Sequence, residues 1–393
     1  MKQLSKDQKD LHEGLKIFDW IRRVSKAVGL WPLAPNNFFF LITFIYFSIV
    51  ITLEWMDFYY SLNDFDKVLD NLTESLSLSQ IYIRLIILKL QIKKLGQVIK
   101  DTMDNFDVEK FKSSSEIEIF LNYIDEGKFF VKSIILFIVM TLITWYFGPL
   151  SAPALIADDN ETIIYILPYR VPSIFEINDF KSYVIMYSFY GPFIFIVGSS
   201  HATLECFLIT LVYCLRGRFV ILADRINALN DKSEVGNNEV KDIIVEHSKL
   251  LRLGETFINV YSSSLMVYMM NATTLLCIIG YKILITYIKG SNADIVTYLI
   301  FISTIYLIIA LFCIVSERLT SECDKVSEAF WNCKWYNMPP NTIKDIMYCI
   351  LRSQNPLALK IGEFSYFGNS TLTIVTKTAM GYLSVLRHFL IIE

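Results

Sequence analysis

The chain has 393 residues, of which 54% are apolar and only 19% charged, and its mean hydropathy is +0.44; a soluble domain carries about a quarter charged residues. That balance calls for lipid, and since no Gly/Ser- or Pro-rich linker divides the sequence, one membrane domain is expected rather than several soluble ones. The net charge of −3 says nothing of partners, since in a membrane protein the distribution of charge along the chain matters more than its sum, and no basic stripe suggests nucleic acid.

The amino-terminal segment, 1–37, contains the amphipathic run KIFDWIRRVSKAVGLW, too polar for the apolar core of a cleavable signal. The first span is therefore expected to act as its own insertion signal. A spanning helix needs roughly 20 mostly apolar residues, because lipid offers the backbone no hydrogen-bonding partner. Seven stretches meet that need, near 38–59, 68–88, 129–150, 182–213, 257–281, 294–315 and 370–391. The second holds Asp70, Glu74 and Arg84, so its polar face must meet protein or water. The fourth continues into LRGRFVILADRINAL and the fifth follows VKDIIVEHSKLLRLGETF, both with apolar residues at helical spacing, which predicts helices projecting beyond the bilayer. The chain thus divides into 1–37, a cytoplasmic amphipathic segment; 38–315, six spans; 316–369, a cytoplasmic anchor; and 370–393, the last span. The fold class is all-α and polytopic.

Orientation follows from Lys and Arg, which stay on the cytoplasmic side during insertion. Of the 36 in the chain, 27 fall in the amino-terminal segment and the alternate connections after spans two, four and six, whereas the opposite loops hold Arg170 and Lys289 alone. The amino terminus is predicted inside and the carboxyl terminus outside. Cys206, Cys214, Cys277 and Cys313 are placed in spans, and Cys323, Cys333 and Cys349 in the reducing cytoplasm, so free thiols are expected. Asn160-Glu161-Thr162 is a glycosylation sequon in the outside loop between spans three and four; the triplets at Asn71, Asn271 and Asn369 lie in or beside spans and are not expected to be modified.

Enzyme signatures are absent: no GxSxG, no HExxH, no Walker loop, and no spaced metal-ligand set. No cofactor or metal is expected. His201, beside Ser199 and Ser200 in the fourth span, is either a functional ionisable group or a hydrogen-bonding residue between helices. Asp224-Arg225-Ile226 imitates the DRY signature of G-protein-coupled receptors but follows the fourth span, and the topology is inverted relative to theirs.

The last span, TLTIVTKTAMGYLSVLRHFLII, sets Lys377, Gly381, Ser384, Val385 and His388 on one stripe, with Arg387 at its edge. Small, polar and ionisable groups in a spanning helix must face water or protein. Two readings stay open: a pore wall assembled from several subunits, or a close-packed helix interface.

Taken together, these residues resemble the insect odorant receptors, which share a fold with the gustatory receptors. The resemblance runs through VGLWPL at 28–33, ILPYRVP at 166–172, EHSKLL before span five and SECDKVSEAFWNCKWYNMPP after span six. It is strongest in LRSQNPLALKIGEFSYFGNSTLTIVTKTAMGYLSVLRHF, where Tyr382, His388 and Phe389 keep the spacing of the family's TYxxxxxQF ending; Gly381 replaces its Thr and His388 its Gln. The resemblance implies a subunit of a tetrameric, non-selective cation channel in the plasma membrane of olfactory neurons, with seventh helices around one pore and a tuned subunit paired with a co-receptor. Carried over, Val385 matches the hydrophobic gate, His388 the polar position beside it and Phe389 the outer end; Ser384 and Gly381 complete the expected pore stripe. Bulky Phe389, and Lys377 if it faces the lumen, would obstruct a homotetramer and so favour a heteromer.

A volatile ligand is small and apolar, so its pocket should lie between the outer halves of the spans with aromatic walls. The residues expected to line it are Leu76 of span two, Thr141 and Trp145 of three, Met186, Tyr190 and Phe193 of four, and Tyr298 and Phe301 of six. A homomeric gustatory-type channel is the alternative; a transporter should show internal repeats, and none is visible.

Overall fold

The structure, a computed structural model, describes residues 2–392 apart from 152–153, 157–162, 173–178, 232–236 and 290–291, with side chains described outside 1–5, 151–164, 173–178, 231–237, 289–294 and 386–393. The sequon at Asn160 lies outside the described residues. The helices are α1 (Lys2–Ala27), α2 (Asn37–Tyr60), α3 (Phe65–Leu90), α4 (Ile92–Met103), α5 (Ser114–Phe147), α6 (Phe180–Asn227), α7 (Asn237–Lys289), α8 (Asn292–Asn332), α9 (Pro340–Ser353) and α10 (Asn369–Ile392). Short antiparallel pairs, β1 (Ala154–Ile156) with β2 (Ile163–Tyr165) and β3 (Lys360–Ile361) with β4 (Ser365–Tyr366), interrupt the connections before α6 and α10.

The seven apolar stretches fall on α2, α3, α5, α6, α7, α8 and α10, the third running three residues past the end of α5. Among the described residues, α2, α5, α6, α7 and α8 are each long and apolar enough to cross a bilayer, while α3 qualifies only jointly with α4 across a 73° bend. The charges of α3 explain the difference, because they turn inward to protein partners. Local signals start the helices where they begin. The Asn36 side chain accepts from the amides of Phe38 and Phe39, Asp64 from Lys67, Ser113 from Glu116 and Asp179 from Ser182, each meeting an amide that the first helical turn leaves unpaired. Pro340 opens α9, where its missing N–H costs nothing.

α6 is the axis of the bundle, packing on α1, α5, α7 and α8. From Ala202 to Phe219 every residue of it is buried. At one end of the bundle lie the loops before α6 and α8; at the other, here termed the charged end, the helices run on past the spans. The extension expected of α6 and α7 is present, and α5 and α8 share it. α5 starts at Ser114 rather than near 129 because Ile117, Phe120 and Ile124 carry its apolar stripe through a charged stretch. α8 continues past 315 by the same means, burying Leu319, Cys323, Val326 and Phe330.

Ion pairs tie these extensions together. Arg225 reaches Glu116 of α5 at 2.7 Å and Glu246 of α7 at 2.5 Å, and Arg218 reaches Glu246 at 2.6 Å. Burial pushes the Glu116 carboxyl up, but hydrogen bonds from Arg225 and from the Lys112 amide outweigh it and hold the group below the ordinary carboxylate range. The apparent DRY motif therefore serves as a joint between helices. All seven cysteines are buried and unpaired.

Candidate functional site

In the half of the bundle nearer the loops, α3, α5, α6, α7 and α8 part around a cavity of about 80 Å³. Since roughly 10–15 Å³ of such volume holds one water, there is room for a small organic molecule of a few heavy atoms before any side chain moves. Trp145, Phe301, Ile138 and Leu142 form an apolar wall. The Trp145 ring meets Phe301 edge-on at 5.3 Å. Thr141 and Thr304 join hydroxyls at 2.7 Å across the α5–α8 seam. From the loop before α6, Tyr169 is buried over the cavity, its ring 5.3 Å from those of Tyr190 and Phe193. Arg170 beside it bonds Asp70 at 2.7 Å, and its amide donates to Glu74 at 3.2 Å. The ILPYRVP segment is thus fastened as a cover on the site.

The floor is polar. Gln80, His201 and Tyr268 border the cavity, and among the described residues the Gln80 carboxamide oxygen and His201 Nε2 have no hydrogen-bond partner. Below them Arg84 and Glu205, both fully buried, pair at 2.6 Å. Arg84 Nε donates to Ser264 Oγ at 3.0 Å, its guanidinium lies 4.8 Å from the Tyr268 ring centroid, and His201 Nε2 stands 3.4 Å from Glu205 Oε1. A lone charge at this depth is costly; an opposite charge with further hydrogen bonds makes it tolerable.

Of the residues expected to line a pocket, Thr141, Trp145 and Phe301 meet at this cavity. Leu76, Met186, Tyr190, Phe193 and Tyr298 do not border it. Leu76 turns toward α7, where its carbonyl accepts from Asn271 at 2.8 Å. Met186 packs part-buried on the core, Tyr190 and Phe193 lie fully buried behind Tyr169, and Tyr298 stands behind Trp145 at 6.3 Å. Gln80, Tyr169 and Tyr268 are additions that periodicity alone gave no means to single out.

From the floor a file of rings leads to the last helix. Tyr268 meets Phe312 edge-on at 5.5 Å, and Phe312 meets Phe367 at 5.4 Å, two residues before α10. The β3–β4 turn is fixed to α7 through Gly362, whose φ of +60° favours glycine; its amide donates to the Ser262 carbonyl at 3.2 Å and its carbonyl accepts from Ser262 Oγ at 2.7 Å. Glu317 of α8 accepts from the Asn369 amide at 2.8 Å, capping the start of α10. α10 then packs on α7 and α8 through Val375, Ala379 and Leu383, the last lying over Gly280. Its opposite face is open: Lys377, Gly381, Ser384 and Val385 are exposed, and a Cβ added at Gly381 would meet nothing within 4 Å. The side chains of His388 and Phe389 lie outside the described residues.

Comparison with known proteins gives a family by sequence and a shared fold by shape. The family model described as 7tm Odorant receptor matches residues 64–380. The insect olfactory receptor OR5 of Machilis hrabei, solved in complex with eugenol, superposes with a TM-score of 0.81 over 96% of this chain and 100% of that one, at 15% identity. Odorant receptor 13a of Drosophila melanogaster is 23% identical over 279 residues, 65% of this chain and 63% of that one. The odorant receptor coreceptor of Anopheles gambiae is 29% identical over 112 residues, 28% of this chain and 23% of that one. The chain spans between about a quarter and just under two thirds of the length of the curated relatives it matches.

Proposed function

Because the chain belongs to the insect odorant receptor family, we propose that it is the odorant-binding subunit of a ligand-gated cation channel, assembled with co-receptor subunits into a heterotetramer. The charged end lies in the cytoplasm, which sets the amino terminus inside and the carboxyl terminus outside, as the Lys and Arg distribution requires. α10 lines the shared pore with Gly381, Ser384, Val385, His388 and Phe389.

The observation that carries this reading is the open face of α10. A spanning helix covers its small and polar groups with protein or water, and here the chain's own helices cover only the opposite face. Neighbouring subunits around an aqueous axis supply what is missing.

The ligand enters the cavity beneath Tyr169 and stacks on Trp145 and Phe301. A molecule with an apolar body and one hydroxyl suits it, because the Gln80 carboxamide oxygen at the floor has no hydrogen-bond partner among the described residues. Leu76, Met186, Tyr190, Phe193 and Tyr298 form the second layer that sets the cavity's shape. A ligand opens the pore only to the extent that it binds the open state more tightly. Pressing on Tyr268 is the means: it moves Phe312 and Phe367, and so the start of α10. A homomeric, gustatory-type channel is the second reading, and the polar part of the lining favours it.

Patch-clamp recording of cells exposed to a panel of volatile alcohols, aldehydes and phenols, with and without the co-receptor, tests both readings. Ligand-evoked cation current that needs both chains supports the first. Current from this chain alone supports the second, and its absence under every condition overturns the channel.

A further inference from the structure

An open groove of about 720 Å³ runs between α1 and α5, sharing no lining residue with the odorant cavity although both border the same stretch of α5. Its ends differ in chemistry. Lys16, Lys128 and Lys132 stand at the end toward the charged extensions, with Glu13 their one acidic companion in the lining, while Trp20, Leu136 and Val139 line the end that runs into the span. Lys16 bonds Glu13 at 3.6 Å and Lys128 bonds Asp125 at 2.8 Å, both in solvent-exposed pairs of small worth, and Lys132 has no ion pair among the described residues. The deep end exposes aromatic and aliphatic groups, as the outer faces of other helices do: Trp20 is 38% exposed, Leu136 59% and Val139 43%.

The dimensions fit within one leaflet. Lys128, Lys132, Leu136 and Val139 follow one stripe of α5, and the seven-residue step from Lys132 to Val139 rises roughly 10 Å at about 1.5 Å per residue. Half of a hydrocarbon core is about 15 Å, so the apolar end takes the part of an acyl chain next to the headgroup. We propose that the groove holds an anionic phospholipid, its phosphate against Lys16, Lys128 and Lys132 and one acyl chain along Trp20, Leu136 and Val139. Basic pockets beside spanning helices select such headgroups. A neighbouring subunit is the poorer occupant, because the open face of α10 belongs to the side formed with α7 and α8, whereas α1, which forms one wall of the groove, packs on α5 and α6. Bound there, the lipid fastens α1 to α5. α1 leads directly to Trp31, which stacks on Phe207 of α6 at 5.8 Å, so the site bears on the bundle's axis.

The test uses the full chain in phosphatidylcholine vesicles carrying, in both leaflets, a trace of photoactivatable phosphatidylserine or photoactivatable phosphatidylcholine, so its outcome does not depend on the channel reading or on orientation. Labelled residues are mapped by peptide mass spectrometry. The anionic probe is expected to label α1 and α5 about fivefold or more above the zwitterionic one. Lys132→Gln, an exposed change that leaves the fold intact, is expected to reduce that labelling about fivefold, the effect of one basic residue at a membrane surface. Leu136→Asn is expected to weaken it with every lysine kept, and excess inorganic phosphate is expected not to compete. Equal labelling by the two probes, or labelling unchanged in Lys132→Gln, overturns the proposal. Loss of labelling to inorganic phosphate, with Leu136→Asn neutral, overturns the lipid in favour of a free anion site.

Discussion

α6 is long and apolar enough to cross a membrane and α10 is the helix proposed to line the pore, yet only α6 is completed by its own chain. α6 is enclosed by its neighbours, chiefly α5, α8, α1, α7 and α3, and even its charges are answered within the fold, Glu205 by Arg84 and Arg225 by Glu116 and Glu246. α10 is held on one side through Val375, Ala379 and Leu383 and presents Lys377, Gly381, Ser384 and Val385 outward. The difference separates two jobs. The interior around α6 keeps the chain folded, whereas in the proposed channel the open stripe of α10 gains its environment by assembly. Substitutions in the first region should cost stability and those in the second should change conduction.

The sharpest break of that contrast is Arg84→Met. Removing one partner strands the Glu205 carboxylate in the interior at a cost of about 3–5 kcal/mol, so little protein should reach the cell surface, as measured by biotinylation. Arg84→Met with Glu205→Leu should restore it, and an undiminished single variant would mean that the pair does not hold the core. Next in size is acid. Burial, helped by Arg352, lowers His247 to about 4 from 6.5, so the folded state binds its proton less well than the unfolded one. The stability this gives is complete above about pH 6.5 and is lost as pH falls toward 4, about 2 kcal/mol of it by pH 5. Thermal melts of the purified chain from pH 7 to 5 should record the loss, and His247→Phe, which keeps the packing on Phe330, should flatten it.

Smaller effects probe the link between the two regions. Trp145→Ala should raise the odorant concentration for half-maximal current about tenfold, close to 1.4 kcal/mol, at unchanged surface expression; an unchanged dose-response curve would remove Trp145 from the site. Gly362→Ala should lower the melting midpoint by the equivalent of about 1 kcal/mol. Its Cβ would also lie 2.8 Å from Met266 Sδ, so Met266→Ala should recover part of the loss, and no shift in either variant would show that the turn carries no strain.

Much of this was legible in residue order, for reasons that differ by region. Continuous apolar runs located α2, α5, α6, α7 and α8, the helices long and apolar enough to cross a bilayer, since lipid leaves a spanning backbone no other choice. The polar stripe of α10 was equally plain, because helical spacing alone brings Lys377, Gly381 and Ser384 to one face. The early start of α5 was missed because Glu116, Glu118 and Asp125 hide Ile117, Phe120 and Ile124 from any reading that looks for uninterrupted apolarity. Glu205 offered a signal that went unused: a carboxylate inside span four implies a cation, and Arg84 in span two is its match. The cavity was read only in part. Thr141, Trp145 and Phe301 point where aromatic content suggested, but Gln80 and Tyr268 join them through the packing of α3 against α7, which no periodicity encodes.

The central claim, that the stripe of α10 faces water shared between subunits, is tested most directly by thiol accessibility during ligand-evoked current in cells expressing this chain with the co-receptor. The seven native cysteines are buried, so an introduced one can be read alone. Ser384→Cys should react with a charged, water-soluble methanethiosulfonate and lose current, while Ala379→Cys on the packed face should not. Current untouched at Ser384, or equal block at both positions, would contradict it.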